Sequence, residues 1–163
     1  MKTNFERMIE LAEEVFATRN DPNQLDVDEE VLERLKSIHP ATVSEYVVGD
    51  GPVAWILIFP TTSELMQRFL KNEISEKELF SLTPLHTKYD ALYLCSALVL
   101  KEYRRKGIAK TLTLKAIDNI RKDHPIKSLF VWAHTKEGDL GAETAARITS
   151  LPLYKKSSKQ KDK

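Results

Sequence analysis

The sequence predicts a mixed α/β fold, and three observations lead there. Three apolar runs, Val53–Phe59, Ala91–Leu100 and Leu129–Ala133, have strand length and are apolar on both faces, as buried strands are. The second and third runs flank a segment of helical periodicity. They form a βαβ unit with parallel strands and a right-handed crossover. Ahead of Val53, an alternating segment ends in a glycine-containing turn, which adds an antiparallel hairpin. The expected sheet is therefore mixed, an antiparallel hairpin continuing into a parallel pair.

Thr3-x-x-Glu6 is a capping-box pattern, and Phe5, Met8, Ile9, Ala12, Val15 and Phe16 follow helical spacing, so a helix is expected over residues 4–18. Asn20-Asp21-Pro22-Asn23 breaks it. Asp26 can cap a second helix carrying Val31, Leu35 and Ile38, and His39-Pro40 ends it. The hairpin spans residues 42–60 with its turn at Gly49-Asp50-Gly51. Residues 62–80 read as helical on the stripe of Leu65, Met66, Phe69 and Leu70. Ser75-x-x-Glu78 is a second capping box within that stretch. A polar loop from Ser81 to Asp90 holds Pro84, His86 and Tyr89. After the run 91–100, a helix is expected from Gly107 to Lys122, then the third strand, then a short helix over Glu143–Ile148.

The chain has 163 residues, 42% hydrophobic and 30% charged, which suits one globular domain over residues 1–156 and not a disordered polymer. The formal net charge is +1, so no global attraction to nucleic acid or an anionic membrane is expected. The one cysteine, Cys95, excludes an intramolecular disulfide and a cysteine zinc cluster, and a lone thiol suits the cytoplasm. The N-terminus lacks the apolar core of a signal peptide. No metal is expected. Residues 157–163 form a polar, basic tail expected to be disordered.

The segment that carries chemistry joins the second strand to the following helix: Lys101-Glu102-Tyr103-Arg104-Arg105-Lys106-Gly107-Ile108-Ala109-Lys110. The first turn of a helix has unpaired N–H groups at the positive end of its dipole, and these donors hold anions. Gly107 lets a phosphate approach the backbone. A purely structural turn would sooner carry Asp, Ser or Thr than four cations beside a helix N-terminus. The stretch is neither a Walker A loop nor a Rossmann fingerprint.

Arg104-Arg105-Lys106-Gly107-Ile108-Ala109 resembles motif A, Gln/Arg-x-x-Gly-x-Gly/Ala, of the GCN5-related N-acetyltransferases (GNAT), and the order of elements over about residues 3–156 is similar. The resemblance implies a GNAT-like fold with a reduced C-terminal end. It implies acetyl-coenzyme A as acyl donor, with its pyrophosphate on Arg104, Arg105, Lys106, Gly107, Ile108, Ala109 and Lys110. The pantetheine arm would hydrogen-bond the backbone of Leu98, Val99 and Leu100, with the thioester near Cys95–Leu98 and Ala133-His134. The Val99 N–H would polarise the thioester carbonyl. Leu153-Tyr154-Lys155-Lys156 matches half of the family's second signature, with Ser157-Ser158 where Gly-Phe would stand. Tyr154 is the implied general acid. Leu151–Lys156 is then either the end of a trimmed member or a short closing strand.

His134 follows the third strand and is a candidate to take the amine proton, against the plain alternative of an exposed loop histidine. Cys95 reads better as an inert strand thiol than as a nucleophile, and Glu45 and Glu64 as solvated carboxylates. Residues 61–90 form a helical insertion. It is expected either to cover the acceptor pocket, with His86 and Tyr89 at its mouth, or to pack on the sheet and support a homodimer. The implied function is acetyl transfer to a small-molecule or peptide primary amine by direct attack, with no nucleic acid or membrane partner. The alternative is a non-catalytic acyl-coenzyme A-binding or protein-interaction module on the same scaffold.

Overall fold

The computed structural model describes residues 1–19, 24–132 and 135–156. Its elements run α1 (Asn4–Arg19), α2 (Glu29–Ile38), β1 (Val43–Val48), β2 (Gly51–Thr61), α3 (Ser63–Leu70), α4 (Glu76–Leu82), β3 (Ala91–Val99), α5 (Ile108–Asp123), β4 (Ser128–Val131), α6 (Lys136–Thr149) and β5 (Leu153–Lys155). The five strands form one sheet in sequence order. β1, β2 and β3 are antiparallel neighbours, whereas β3–β4 and β4–β5 are parallel. Among the described residues, no helix is long and apolar enough to cross a membrane.

Local chemistry accounts for most boundaries. The first capping box forms: Thr3 N–H donates to Glu6 Oε1 at 2.9 Å and Glu6 N–H to Thr3 Oγ1 at 3.1 Å. α2 is capped by Asp28, not by Asp26, because only Asp28 stands three residues before the Val31 N–H it accepts from. His39 ends α2, and its Nδ1 then accepts from Ala41 N–H at 3.0 Å in a single 3₁₀ turn. The helix expected over 62–80 is two helices. Asn72 takes a left-handed conformation (φ 65°), and Ser75 and Glu78 form a full capping box that starts α4. α6 is longer than the expected 143–148, because Thr135 caps it early and the helix tolerates Gly138 and Gly141.

Tyr93, Phe59 and Phe130 share one sheet face, where Phe69 of α3 and Phe80 of α4 meet them at ring-centroid distances of 5.3–6.0 Å. These rings are almost wholly buried. Residues 61–90 thus supply much of the core on this face. α1 extends it, with Met8 packed among Val53, Leu98 and Leu100. The successive right-handed crossovers β3–α5–β4 and β4–α6–β5 put α5 and α6 on the other face.

Candidate functional site

β3 and β4 pair only over Ala91–Leu94 and Ser128–Val131. Just beyond, the β2–β3 register shifts: Ile58 faces Leu94 and Leu57 faces Ser96, which leaves Cys95 as the extra residue of a β-bulge. A bulge bends its strand and increases local twist. From Cys95 to Val99, β3 therefore has β2 on one side and a notch on the other. Ala97 is exposed in the middle of a central strand.

The notch has a defined backbone lining. Leu100 N–H donates to Val53 C=O at 2.9 Å. In an antiparallel ladder alternate residues turn their backbone groups to opposite sides, so Leu98 and Leu100 face β2 while Ala97 and Val99 face the notch. Leu98 and Leu100 are also buried against α1. The Val99 carbonyl accepts from Arg104 Nε at 2.8 Å, which leaves the Val99 N–H and both Ala97 backbone groups at the open side.

Past β3 the chain makes a 3₁₀ turn over Lys101–Tyr103, with Arg105 (φ 64°) and Gly107 (φ 81°) both left-handed. Gly107 is the N-cap of α5 and no side chain caps that helix. Thr111 N–H closes the first intrahelical bond on the Gly107 carbonyl. The N–H groups of Ile108, Ala109 and Lys110 therefore point out of the helix end without an intrahelical acceptor. A Cβ built on Gly107 would meet nothing within 4 Å, so the space beside it is open. Lys101, Arg104, Arg105, Lys106 and Lys110 are exposed around it. The one acid of the loop, Glu102, is taken up by Arg7 of α1 through two bonds of 2.7 and 2.8 Å. That pairing pushes the Glu102 carboxyl down to about 2. An uncapped helix N-terminus, a cationic rim and a strand edge with free N–H groups thus lie in line.

The sequence matches the acetyltransferase (GNAT) family over residues 6–147. The chain belongs to the GNAT family. No curated protein matches it. Solved structures similar to it include the NatB acetyltransferase complex bound to a bisubstrate inhibitor, at 13% identity and a TM-score of 0.48 over 76% of this chain. The chain spans 60% of that NatB chain. An aminoglycoside acetyltransferase from an uncultured soil metagenomic sample, in complex with sisomicin, is similar at 19% identity and a TM-score of 0.47, covering 98% of this chain and 83% of that one. A possible acetyltransferase from Clostridium difficile 630 is similar at 20% identity and a TM-score of 0.44, covering all of this chain and 94% of that one.

Within this GNAT chain the other expected residues are scattered. Tyr154 is not on a helix. It is the middle residue of β5, 43% exposed at the sheet edge, and pairs with Phe130 across from Tyr93. Of the two readings of residues 151–156, the short closing strand is the one observed. His134 lies outside the described residues, as do Ala133 and the tail 157–163. Glu45 accepts from Trp55 Nε1 at 3.0 Å on the surface, and Glu64 is exposed.

The expected lid loop does not reach the notch. Tyr89 is buried, donates its hydroxyl to Pro84 C=O and packs on His124 at the end of α5. Asp90 C=O accepts from Lys127 N–H just before β4. Residues 81–90 thus sit at the N-terminal ends of β3 and β4, and the notch opens at the other end. The insertion reaches the notch through α4 instead. Glu76, 3% exposed, accepts from Tyr93 Oη at 2.6 Å and lies 3.7 Å from Cys95 Sγ at the bulge. Sequence reasoning passed over Glu76, since a glutamate beside a capping serine reads as helix-start chemistry. Among the described residues, no group of three or more His, Cys, Asp or Glu could hold a metal.

Proposed function

We propose that the protein is an acetyl-coenzyme A-dependent N-acetyltransferase that acetylates a primary amine on a small molecule or peptide by direct attack. GNAT proteins are acetyltransferases that use acetyl-coenzyme A. The observation that carries the reading for this chain is the alignment of the uncapped α5 N-terminus at Gly107 with the open edge of β3. In this reading the pyrophosphate lies on the N–H groups of Ile108, Ala109 and Lys110, with Arg104, Arg105, Lys106 and Lys110 offsetting its charge. The pantetheine amides add to the edge of β3 at Ala97 and Val99, as an extra strand would. The thioester then lies toward Cys95.

The amine must be neutral to attack, and His134 is the group assigned to take its proton. The Val99 N–H polarises the thioester carbonyl as the tetrahedral oxyanion forms. Collapse breaks the C–S bond and the thiolate takes a proton. Tyr154 stands on the far side of β4 from β3, so in this reading the thiolate takes that proton from solvent and not from Tyr154.

The test is calorimetric titration with coenzyme A and acetyl-coenzyme A, followed by thiol release with a panel of primary amines. Micromolar binding with amine-dependent thiol release is expected. Binding without turnover on any amine would leave a binding module in place of an enzyme. Absence of binding would remove the reading.

A further inference from the structure

We propose that Glu76 is a positioning residue for the amine-acceptor side of the site, fastening the connection between α1 and α2 to β3 at its bulge. This rests on the reading that the acyl end of the donor lies at that bulge. Glu76 is the one carboxylate among the buried described residues. Burying a carboxylate is costly unless its oxygens are hydrogen-bonded, and here donors from separate elements converge on it. Leu25 N–H, in the stretch leading into α2, donates to Oε1 at 2.5 Å. Tyr93 Oη on β3 donates to Oε2 at 2.6 Å, and Cys95 Sγ is 3.7 Å from the same oxygen. One side chain on α4 therefore joins three parts of the fold at the residue where β3 leaves β4.

The placement gives this joint a functional direction. The phosphate-binding end of the notch is at Gly107, beyond the C-terminal end of β3, and the bulge is about 13 Å back along the strand. A donor arm running from Gly107 along Val99 and Ala97 presents its acyl group toward Cys95. The acceptor must then enter beside the elements that flank the bulge. Glu76 holds two of them together, the segment at Leu25 and the strand at Tyr93 and Cys95.

The test uses the full chain with Glu76→Gln and Glu76→Ala. The glutamine keeps an oxygen for Leu25 and an amide for Tyr93, whereas the alanine keeps neither. Cys95 is the only cysteine, so maleimide labelling reports on the bulge alone. Labelling in Glu76→Ala is expected to be about tenfold faster or more, and in Glu76→Gln within about threefold of the parent, as loss or retention of buried hydrogen bonds predicts. Coenzyme A affinity should stay within about threefold in both. For the amine that the parent acetylates best, KM should rise about tenfold or more in the alanine variant with kcat nearly kept, and the glutamine should rescue it. If Glu76→Ala fails to fold, Glu76→Asp takes its place, since it shortens the reach by one methylene. Unchanged labelling, unchanged acceptor KM, or a parallel loss of coenzyme A affinity would each overturn the proposal. Failure of the underlying reading has its own signature: saturating acetyl-coenzyme A would not protect Cys95 of the parent from maleimide.

Discussion

Gly107 and Gly49 form a matched pair for testing where the donor's phosphates bind. Both are left-handed, at φ 81° and 63°, and a Cβ on either would meet nothing within 4 Å. An alanine at either position therefore costs backbone strain and no clash. That strain is about 1–2 kcal/mol, and the stiffer unfolded chain returns about 0.4–1 kcal/mol. Gly107→Ala and Gly49→Ala should each lose about 1 kcal/mol, a fall of about 2–4 °C in the thermal midpoint of a chain this size. Their binding should differ. Gly49 lies in the hairpin turn between β1 and β2, while a methyl on Gly107 enters the space beside the N–H groups of Ile108 and Ala109. Displacing a phosphate from one charge-assisted hydrogen bond costs about 2 kcal/mol, or roughly 30-fold in affinity. Circular dichroism gives the midpoints and calorimetric titration with coenzyme A gives the affinities. Equal affinities in the two variants, each with its expected small loss of stability, would refute the assignment of this helix end.

Other predictions follow from packing and charge. Phe69→Ala should destabilise by about 3–5 kcal/mol in chemical denaturation, because the ring is fully buried and meets Tyr93, Phe130 and Trp132 edge-on. Burial, with His39 and Lys88 nearby, holds the His124 imidazole below its usual 6.5, and its Nδ1 accepts from Tyr89 N–H. The folded state thus favours neutral His124. Its contribution is complete above about pH 6.5 and is lost as pH falls from there through the lowered folded value. Thermal midpoints should drop over that window, and His124→Gln should flatten the drop. Arg7→Met should lower the midpoint at pH 6 but little at pH 2, since the Arg7 partner Glu102 is ionised down to about pH 2. Tyr154→Phe should leave turnover within about threefold, because β4 stands between Tyr154 and the notch and no transition-state contact is removed.

Much of the scaffold was legible because its signals are local. A capping box, a Gly-Asp-Gly turn, a His-Pro break and a glycine at a basic helix start each act within a few residues, and each appears where its chemistry requires. The signals that failed involve partners remote in sequence. Nothing near Cys95 announces a bulge, which shows only in the register between β3 and β2. Nothing near Glu76 distinguishes a buried carboxylate from a helix-start one, since its partners lie 17 and 51 residues away. The notch-facing residues became Ala97 and Val99, flanking Leu98, only once the ladder had a register. Tyr89 read as a lid residue because a tyrosine in a polar loop looks exposed, and the end of α5 that buries it is 35 residues further on.

The four-pair junction between β3 and β4 leaves the far half of β3 paired on one side only. β2 and β3 are laced along most of their length, whereas β4 pairs with β3 through a four-residue ladder and packs Phe130 and Trp132 on Phe69. Ala97 and Val99, beyond that ladder, turn their backbone groups to the open side, where exchange needs no opening of the core. The Ala97 and Val99 amides should exchange with deuterium faster than those of β2. A donor arm bridging the notch would act as the missing strand and slow that exchange with a concentration dependence set by its affinity. The sheet itself then becomes the gauge of occupancy, readable without any turnover.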